Sequence, residues 1–162
     1  TGGAGFIGST LVTKLLDYDN CKIFNLDKLS YASDLTNIKL KLENSKLEIA
    51  NNYEFIKIDL SDYKLTSEAI MNAKPDLIFH LAAETHVDRS IDNAYPFIKS
   101  NIIGTYNLLE STLQYWQSLT LEKKEDFRLI HISTDEVYGS LKEDSKFNEE
   151  SPYLPKIGRA HV

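Results

Sequence analysis

The sequence predicts an α/β fold built as a doubly wound parallel sheet, and three observations predict it. A glycine-rich turn, Thr1-Gly2-Gly3-Ala4-Gly5-Phe6-Ile7-Gly8, runs straight into an amphipathic pattern. A short apolar run follows and ends on an acidic residue, Asp27, nineteen residues after Gly8. From there to Ser133, strand-like and helical runs alternate, as they do in a parallel sheet covered by helices and joined by right-handed crossovers.

The glycines at 2, 5 and 8 form a G-x-x-G-x-x-G turn. Glycine is needed where the backbone takes a positive φ or approaches a ligand closer than a Cβ allows. Ile7, Leu11, Val12, Leu15 and Leu16 share one face of a 3.6-residue helix. A glycine turn opening a helix is a phosphate site, because free N–H groups and the positive end of the helix dipole point at the anion. Lys22 to Leu26 reads as a strand, and Asp27 at its end stands where a dinucleotide fold holds the adenosine ribose hydroxyls. A glycine triplet alone signals only a tight turn. With the helix, the strand and the carboxylate it points to dinucleotide binding. The motif belongs after a strand, so a first strand ahead of Thr1 is expected to be missing.

The 162 residues suit about one domain, and a hydrophobic fraction of 42% is enough for an ordinary core. A net charge of -6, with both signs interspersed, carries no electrostatic footprint for nucleic acid or an anionic membrane. The single cysteine, Cys21, leaves no internal disulfide and fits a reducing compartment; lying before a strand, it is expected to be a buried, inert thiol. No apolar run approaches the ~20 residues of a membrane-spanning helix, and a cytoplasmic location is expected.

Residues 28–34 are polar and irregular and read as a loop, in which Lys28 is taken as a solvated charge. Leu35 to Leu47 reads as a lysine-rich, solvated helix and connector. Tyr53 to Ile58 alternates as a strand that ends at Asp59-Leu60. Ser61 or Asp62 caps a helix over 63–73, which Lys74-Pro75 stops. Leu77 to Leu81 is continuously apolar apart from His80, as suits a parallel strand covered on both faces. Ala82 to Ser90 follows at the strand's carboxyl end, the edge of a parallel sheet where ligands bind. A long helix is expected over 95–117, its apolar positions including Phe97, Ile98, Ile102, Leu108, Leu109 and Leu113. Gly104 inside it is explained by close packing on a neighbour. Residues 122–126 read as a charged connector, and Arg128 to Ile132 as the next strand. No internal repeat or second domain is evident.

That strand runs into Ser133-Thr134-Asp135-Glu136. Adjacent carboxylates can act as acid and base when their surroundings separate their pKa values. A hydroxyl followed by acidic residues is also a common helix cap. From the residues alone both readings stand. His80 and His131, inside strands, read as core histidines. His86, Asp88 and Arg89 read either as loop-shaping residues or as substrate contacts. No paired His or Cys spacing suggests a metal.

The segments TGGAGFIGS, NLDKLSYAS, IKIDLSD, LIFHLAAETHVDRSI, SNIIGTYNLLE and LIHISTDEVYGS resemble the extended short-chain dehydrogenases that act on nucleotide sugars. Within that group the chain is similar to the dTDP-glucose 4,6-dehydratase family, with Asp135-Glu136 inside STDEVYG as the discriminating feature. The resemblance implies a Rossmann-type NAD-binding domain over 1–155 and a lyase that converts dTDP-glucose to dTDP-4-keto-6-deoxyglucose through transient reduction of NAD. It implies Glu136 as the base at C5, Asp135 as the acid at C6 and Thr134 as the hydrogen-bond partner of the C4 oxygen. For NAD it implies Gly2, Gly5, Phe6, Ile7 and Gly8 along the pyrophosphate and Asp27 on the adenosine ribose, bordered by Lys28, Leu29 and Ser30. Asp59 and Leu60 flank the adenine. Leu81, Ala82, Ala83 and Ser100 line the remaining path, and Thr85 touches both NAD and sugar. Asp27 disfavours NADP, since a carboxylate repels a 2′-phosphate.

The chain departs from the family's pattern in one respect. The Tyr-x-x-x-Lys pair expected soon after Ser151-Pro152-Tyr153 is not present. The resemblance stops near Pro155, and residues 156–162 read as a non-native, adapter-like tail. A C-terminal sugar-nucleotide domain is expected in the parent protein, a homodimer, and this fragment is expected to be inactive. The alternatives are a UDP-sugar dehydratase, epimerase or decarboxylase of the same fold, which a Thr-Asp-Glu site opposes for the last two, or a non-catalytic NAD-binding protein.

Overall fold

The structure, a computed structural model, describes residues 1–45, 47–141 and 145–155. Residues 156–162, the suggested non-native tail, lie outside the described residues. The chain divides into two compact units, Thr1–His131 and the segment from Ile132 onward.

In the first unit, strand β1 (Ile23–Asp27) pairs in parallel with β2 (Tyr53–Lys57), Ile23 opposite Tyr53 and Asp27 opposite Lys57. Strand β3 (Leu77–His80) pairs in parallel with β4 (Arg128–His131). Each strand has one partner, so the described sheet consists of two parallel pairs, β1 with β2 and β3 with β4. Thr1 and Gly2 bridge the pairs: Gly2 donates its N–H to Leu26 (2.9 Å), and Leu81 donates to Thr1 (3.1 Å).

Helix α1 (Phe6–Leu15) leaves the glycine turn, as the motif predicts. Its buried positions are Gly8, Ser9 and Val12, with Leu16 just past its end, while Ile7 is 64% exposed. The apolar face therefore starts one turn later than the spacing suggests. Val12 and Leu16 join Ile23 and Ile38 in one core cluster. Ile38 anchors α2 (Thr36–Glu43), which is followed by a short α3 (Leu47–Asn51). Helix α4 (Tyr63–Ala73) starts where expected, because the Asp62 carboxylate accepts the Leu65 N–H at 3.0 Å. It ends on Lys74 in the left-handed region (φ 48). Its consecutive residues Ala69 and Ile70 serve two clusters: Ala69 packs with Leu26, Ile58 and Leu60, and Ile70 with Leu108 and Tyr115.

The long helix expected over 95–117 is broken. A single turn, α6 (Tyr95–Phe97), passes into a π-helical segment, Ile98–Gly104, and then into α7 (Thr105–Ser118). Apolar spacing does not separate i→i+4 from i→i+5 bonding, which hides the change of winding from the sequence. Gly104 is buried, and a Cβ there would lie 3.3 Å from the Leu60 Cβ, so close packing does account for it. Of the apolar positions of this stretch, Leu108 is fully buried, whereas Ile98, Ile102, Leu109 and Leu113 are exposed.

Other expectations are corrected. The stretch after β3 contains a helix, α5 (Val87–Asp92), which His86 caps by accepting the Arg89 N–H (3.5 Å). The charged connector is a helix, α8 (Leu121–Asp126), capped by Thr120. Cys21 is half-buried rather than buried, since β1 begins two residues later. His131 is exposed and touches the His80 ring at 5.0 Å. Of these two, His80 is the core histidine, 1% exposed, held by Thr1 Oγ1 at 2.7 Å and Thr105 Oγ1 at 3.0 Å. Burial, then the Thr1 amine, then His131 lower its pKa to about 4, so it is neutral.

The second unit is built on a 3₁₀ turn, Asp135–Tyr138, which Thr134 caps by accepting the Glu136 N–H at 3.3 Å. Tyr138 stacks on Tyr153 and packs at a tilt against Phe147, with ring centroids 5.5 and 5.1 Å away.

Candidate functional site

The three motif glycines of the turn, Gly2, Gly5 and Gly8, are differently constrained. Gly2 takes φ +74, and a Cβ on it would stand 2.5 Å from the Ala82 nitrogen. A Cβ on Gly8 would sit 2.1 Å from the Gly2 carbonyl oxygen. Both are therefore fixed by contacts within the protein. Gly5 is different: its added Cβ would meet only the Gly2 oxygen, at an ordinary 3.4 Å. Gly5 caps α1 with an ordinary φ of -78, and no side chain bonds to the helix start. The space above Gly5 is open, and the first N–H groups of α1 have no side-chain acceptor among the described residues. That is the arrangement that suits an anion.

Beside this turn lies a crevice of about 90 Å³ at the carboxyl ends of β1, β2 and β3. Among its lining residues are Gly2, Gly5, Asp27, Lys28, Ser30, Asp59, Leu60, Leu81, Ala82, Ala83 and Ser100. Of the sixteen positions expected to bind the cofactor, eleven thus converge here from segments far apart in sequence. Phe6, Ile7, Gly8, Leu29 and Thr85 do not line it. Phe6 and Ile7 project into solvent at 91% and 64% exposure. The crevice is smaller than the ~300 Å³ that encloses a small ligand, so it has room for only one part of such a molecule.

Asp27 is the pivot of the site. It is 7% exposed, and its carboxylate accepts from Ala4 N (3.0 Å), Leu29 N (2.8 Å) and Ser33 Oγ (3.1 Å). These bonds tie the glycine turn to the loop after β1 and hold Leu29 at φ 57. A carboxylate offers about four acceptor positions, so three protein donors leave room for one more. The sequence marked Asp27 for a ligand but concealed its work for the fold. Ala4 and Ser33, which share it, carry no motif signal.

The π-helical segment organises the rest of the crevice through three consecutive residues, each reaching a different loop. Lys99 pairs with Asp59 after β2 at 3.2 Å. The Ser100 hydroxyl accepts from the Lys28 ammonium after β1 at 3.2 Å. The Asn101 side chain bonds both the N–H and the carbonyl of Glu84 after β3, each at 2.8 Å. Partial burial acts to raise the Asp59 pKa, but hydrogen bonds from Ser61 and the Lys99 ammonium outweigh it and hold the carboxyl below the usual range. Lys28 is not the solvated charge expected. It forms an ion pair with Glu84 at 2.6 Å, and the Glu84 side chain is only 10% exposed. Arg89 lies over the Tyr31 ring at 3.6 Å, and with His86 capping α5 the loop-shaping reading of these residues is the one the geometry favours.

Thr134, Asp135 and Glu136 are all exposed, and Thr134 Oγ1 also lies 3.4 Å from an Asp135 carboxylate oxygen. The cap reading of Thr134 is thus realised. It occupies the hydroxyl with a backbone N–H and leaves the Glu136 carboxylate in solvent.

A parallel sheet with a glycine turn, an uncapped helix start and an acidic residue closing β1 defines a dinucleotide-binding domain of Rossmann type. The chain belongs to the family described as GDP-mannose 4,6 dehydratase, whose model matches residues 1–157. It is 46% identical over 155 residues to a probable dTDP-glucose 4,6-dehydratase of Sinorhizobium fredii, covering 96% of this chain and 42% of that protein. Identity to the dTDP-glucose 4,6-dehydratase of Neisseria gonorrhoeae is 46% over 158 residues, covering 96% of this chain and 43% of that protein. Among solved structures, a dTDP-glucose 4,6-dehydratase of Bacillus anthracis in complex with NAD superposes with a TM-score of 0.75 at 35% identity, over 97% of this chain and 43% of that one. The chain thus spans less than half the length of these relatives.

Proposed function

We propose that the full-length protein dehydrates a nucleotide-activated hexose, dTDP-glucose to dTDP-4-keto-6-deoxyglucose, with NAD as a resident cofactor. The observation that carries this is the exposed Thr134-Asp135-Glu136 triplet in a chain of the 4,6-dehydratase family. The residues fit NAD: the open space at Gly5 admits a pyrophosphate, and Asp27 retains an acceptor position for a ribose hydroxyl. When bound, NAD supplies an acceptor for the C4 hydride and its return to C6. The chain's own residues perform the elimination. Glu136 removes the C5 proton, and Asp135 protonates the C6 hydroxyl, which leaves as water. Thr134 donates a hydrogen bond to the C4 oxygen, the tyrosine of the Tyr-x-x-x-Lys pair expected in the full-length protein takes the C4 hydroxyl proton, and Glu136 gives its proton back to C5. Elimination needs a base at C5 and an acid at C6 together, whereas hydride exchange at C4 calls on neither of these carboxylates, which favours the dehydratase over the epimerases of the same fold.

Glu136→Gln in the full-length protein tests the assignment, since it keeps the shape and removes the proton acceptor. Single-turnover absorbance should still show transient NADH, while product falls by at least the ~10²-fold of a lost general base. Loss of both signals in parallel, with a lowered melting temperature, would instead make these residues a structural cap.

Two further readings concern the whole protein. The first is that a parallel strand running into Thr1 fills the slot between β1 and β3. The slot measures about 530 Å³ and is lined by Phe24, Leu26, Ile78, Phe79 and Leu108. The buried Asn25 Oδ1 beside it has no hydrogen-bond partner among the described residues, and the Thr1 amine lies in the ladder, bonded to the Phe79 carbonyl at 2.6 Å. The second is that the protein is a homodimer. Ile98, Ile102, Tyr106, Leu109, Leu113 and Trp116 recur every three or four residues as an exposed apolar stripe, which suits a helix-to-helix contact. Sedimentation of the full-length protein checks it, and a monomer at micromolar concentration would contradict it.

A further inference from the structure

We propose that Glu84 is a cofactor-specificity residue that excludes NADP by sequestering Lys28, an inference that rests on the NAD-binding reading above. Lys28 directly follows Asp27, the residue assigned to the adenosine ribose, and lines the same crevice. An ammonium in that place would pair with a 2′-phosphate and offset the repulsion from Asp27. It is not free to do so. Its Nζ lies 2.6 Å from Glu84 Oε1 and 3.2 Å from Ser100 Oγ. Withdrawing it would leave a carboxylate only 10% exposed without its counter-charge, which is strongly unfavourable.

Glu84 is itself fixed through its backbone. Asn101 bonds both its N–H and its carbonyl at 2.8 Å, so the carboxylate is delivered to Lys28 by the main chain. The neighbouring cation, Lys99, is engaged by Asp59 at 3.2 Å. Asp27, Asp59 and Glu84 thus face two lysines, and both lysines are paired with carboxylates. The excess negative charge repels a 2′-phosphate but costs a neutral ribose hydroxyl nothing. Asp27 alone would discriminate through its own charge; Glu84 adds discrimination by removing the compensating cation.

The test uses the full-length protein and calorimetric titration with NAD and with NADP. Glu84→Gln keeps the main-chain bonds to Asn101 and releases Lys28. NADP binding should tighten by about tenfold, the worth of one charge-assisted contact, while NAD binding moves less than about threefold. Glu84→Leu, which keeps the volume and removes the charge, should reproduce the gain if the glutamine variant does not fold. Adding Lys28→Met to either variant should abolish it. A gain in NADP affinity that disappears with Lys28→Met establishes the assignment. Unchanged NADP affinity, equal shifts for both cofactors, or a gain that survives Lys28→Met would overturn it. Failure of the unaltered protein to bind either dinucleotide would instead remove the NAD-binding reading, and this inference with it.

Discussion

Replacing Asp27 by alanine should destabilise the protein by about 2–4 kcal/mol, and the structure shows how that figure divides. Three donors lose their acceptor: Ala4 N–H, Leu29 N–H and Ser33 O–H. Ala4 is 1% exposed and has no route to water, so its N–H carries a full desolvation penalty of about 1–3 kcal/mol. Leu29 is 37% exposed, so its N–H can turn to solvent. The Ser33 hydroxyl is half-buried and can rotate. Each of these costs only the net worth of a bond to a charged acceptor, with Leu29 also losing what holds it at φ 57. Asp27→Asn should cost less, about 1–2 kcal/mol. With its amide oxygen toward Ala4, its amide nitrogen can donate to Ser33, and only the more exposed Leu29 N–H goes unpaired. Urea denaturation of both variants measures the difference. The reasoning fails if alanine costs under about 1 kcal/mol, or if asparagine costs as much as alanine.

Three other outcomes follow from the structure. Gly5→Ala should leave the melting temperature nearly unchanged yet weaken NAD binding by roughly tenfold or more, whereas Gly8→Ala, whose Cβ would lie 2.1 Å from a carbonyl oxygen, should unfold the chain; equal effects in melting scans would contradict the distinction. Because the folded pKa of His80 is about 4 against 6.5 in the unfolded chain, its contribution is complete above pH 6.5 and is lost as pH falls toward 4. That loss reaches at most about 3 kcal/mol and should vanish in His80→Asn, which urea melts across this range would show. Joining a short apolar strand ahead of Thr1 should raise stability, since it fills the slot and replaces an ammonium, whose pKa burial lowers to about 6 against the raising effect of Asp27, with a neutral amide; no gain in the urea midpoint would argue against a strand there.

The sequence by itself determined the fold class, the order of the strands along the chain and most of the crevice. Each depends on local rules: glycine spacing, alternation of apolar runs, a capping Asp62, a carboxylate at a strand end. Eleven of the expected cofactor positions converge because they sit in the glycine turn, in the loops at the carboxyl ends of parallel strands or in the π-helical segment facing them, and strand direction is legible in the alternation. Tertiary structure decided how the charges pair. Lys28 looked solvated because Glu84 is 56 residues away, and nothing local records that a π-helical segment would bring Ser100 and Asn101 to both loops. The winding of Ile98–Gly104 was hidden for a different reason, since π and α helices share their apolar spacing to within a residue. The exposure of Ile98, Ile102, Leu109 and Leu113 was equally hidden, because an apolar stripe reads the same whether it meets the core or the surface. Periodicity shows that a face is apolar; only the packed chain decides what, if anything, lies against it.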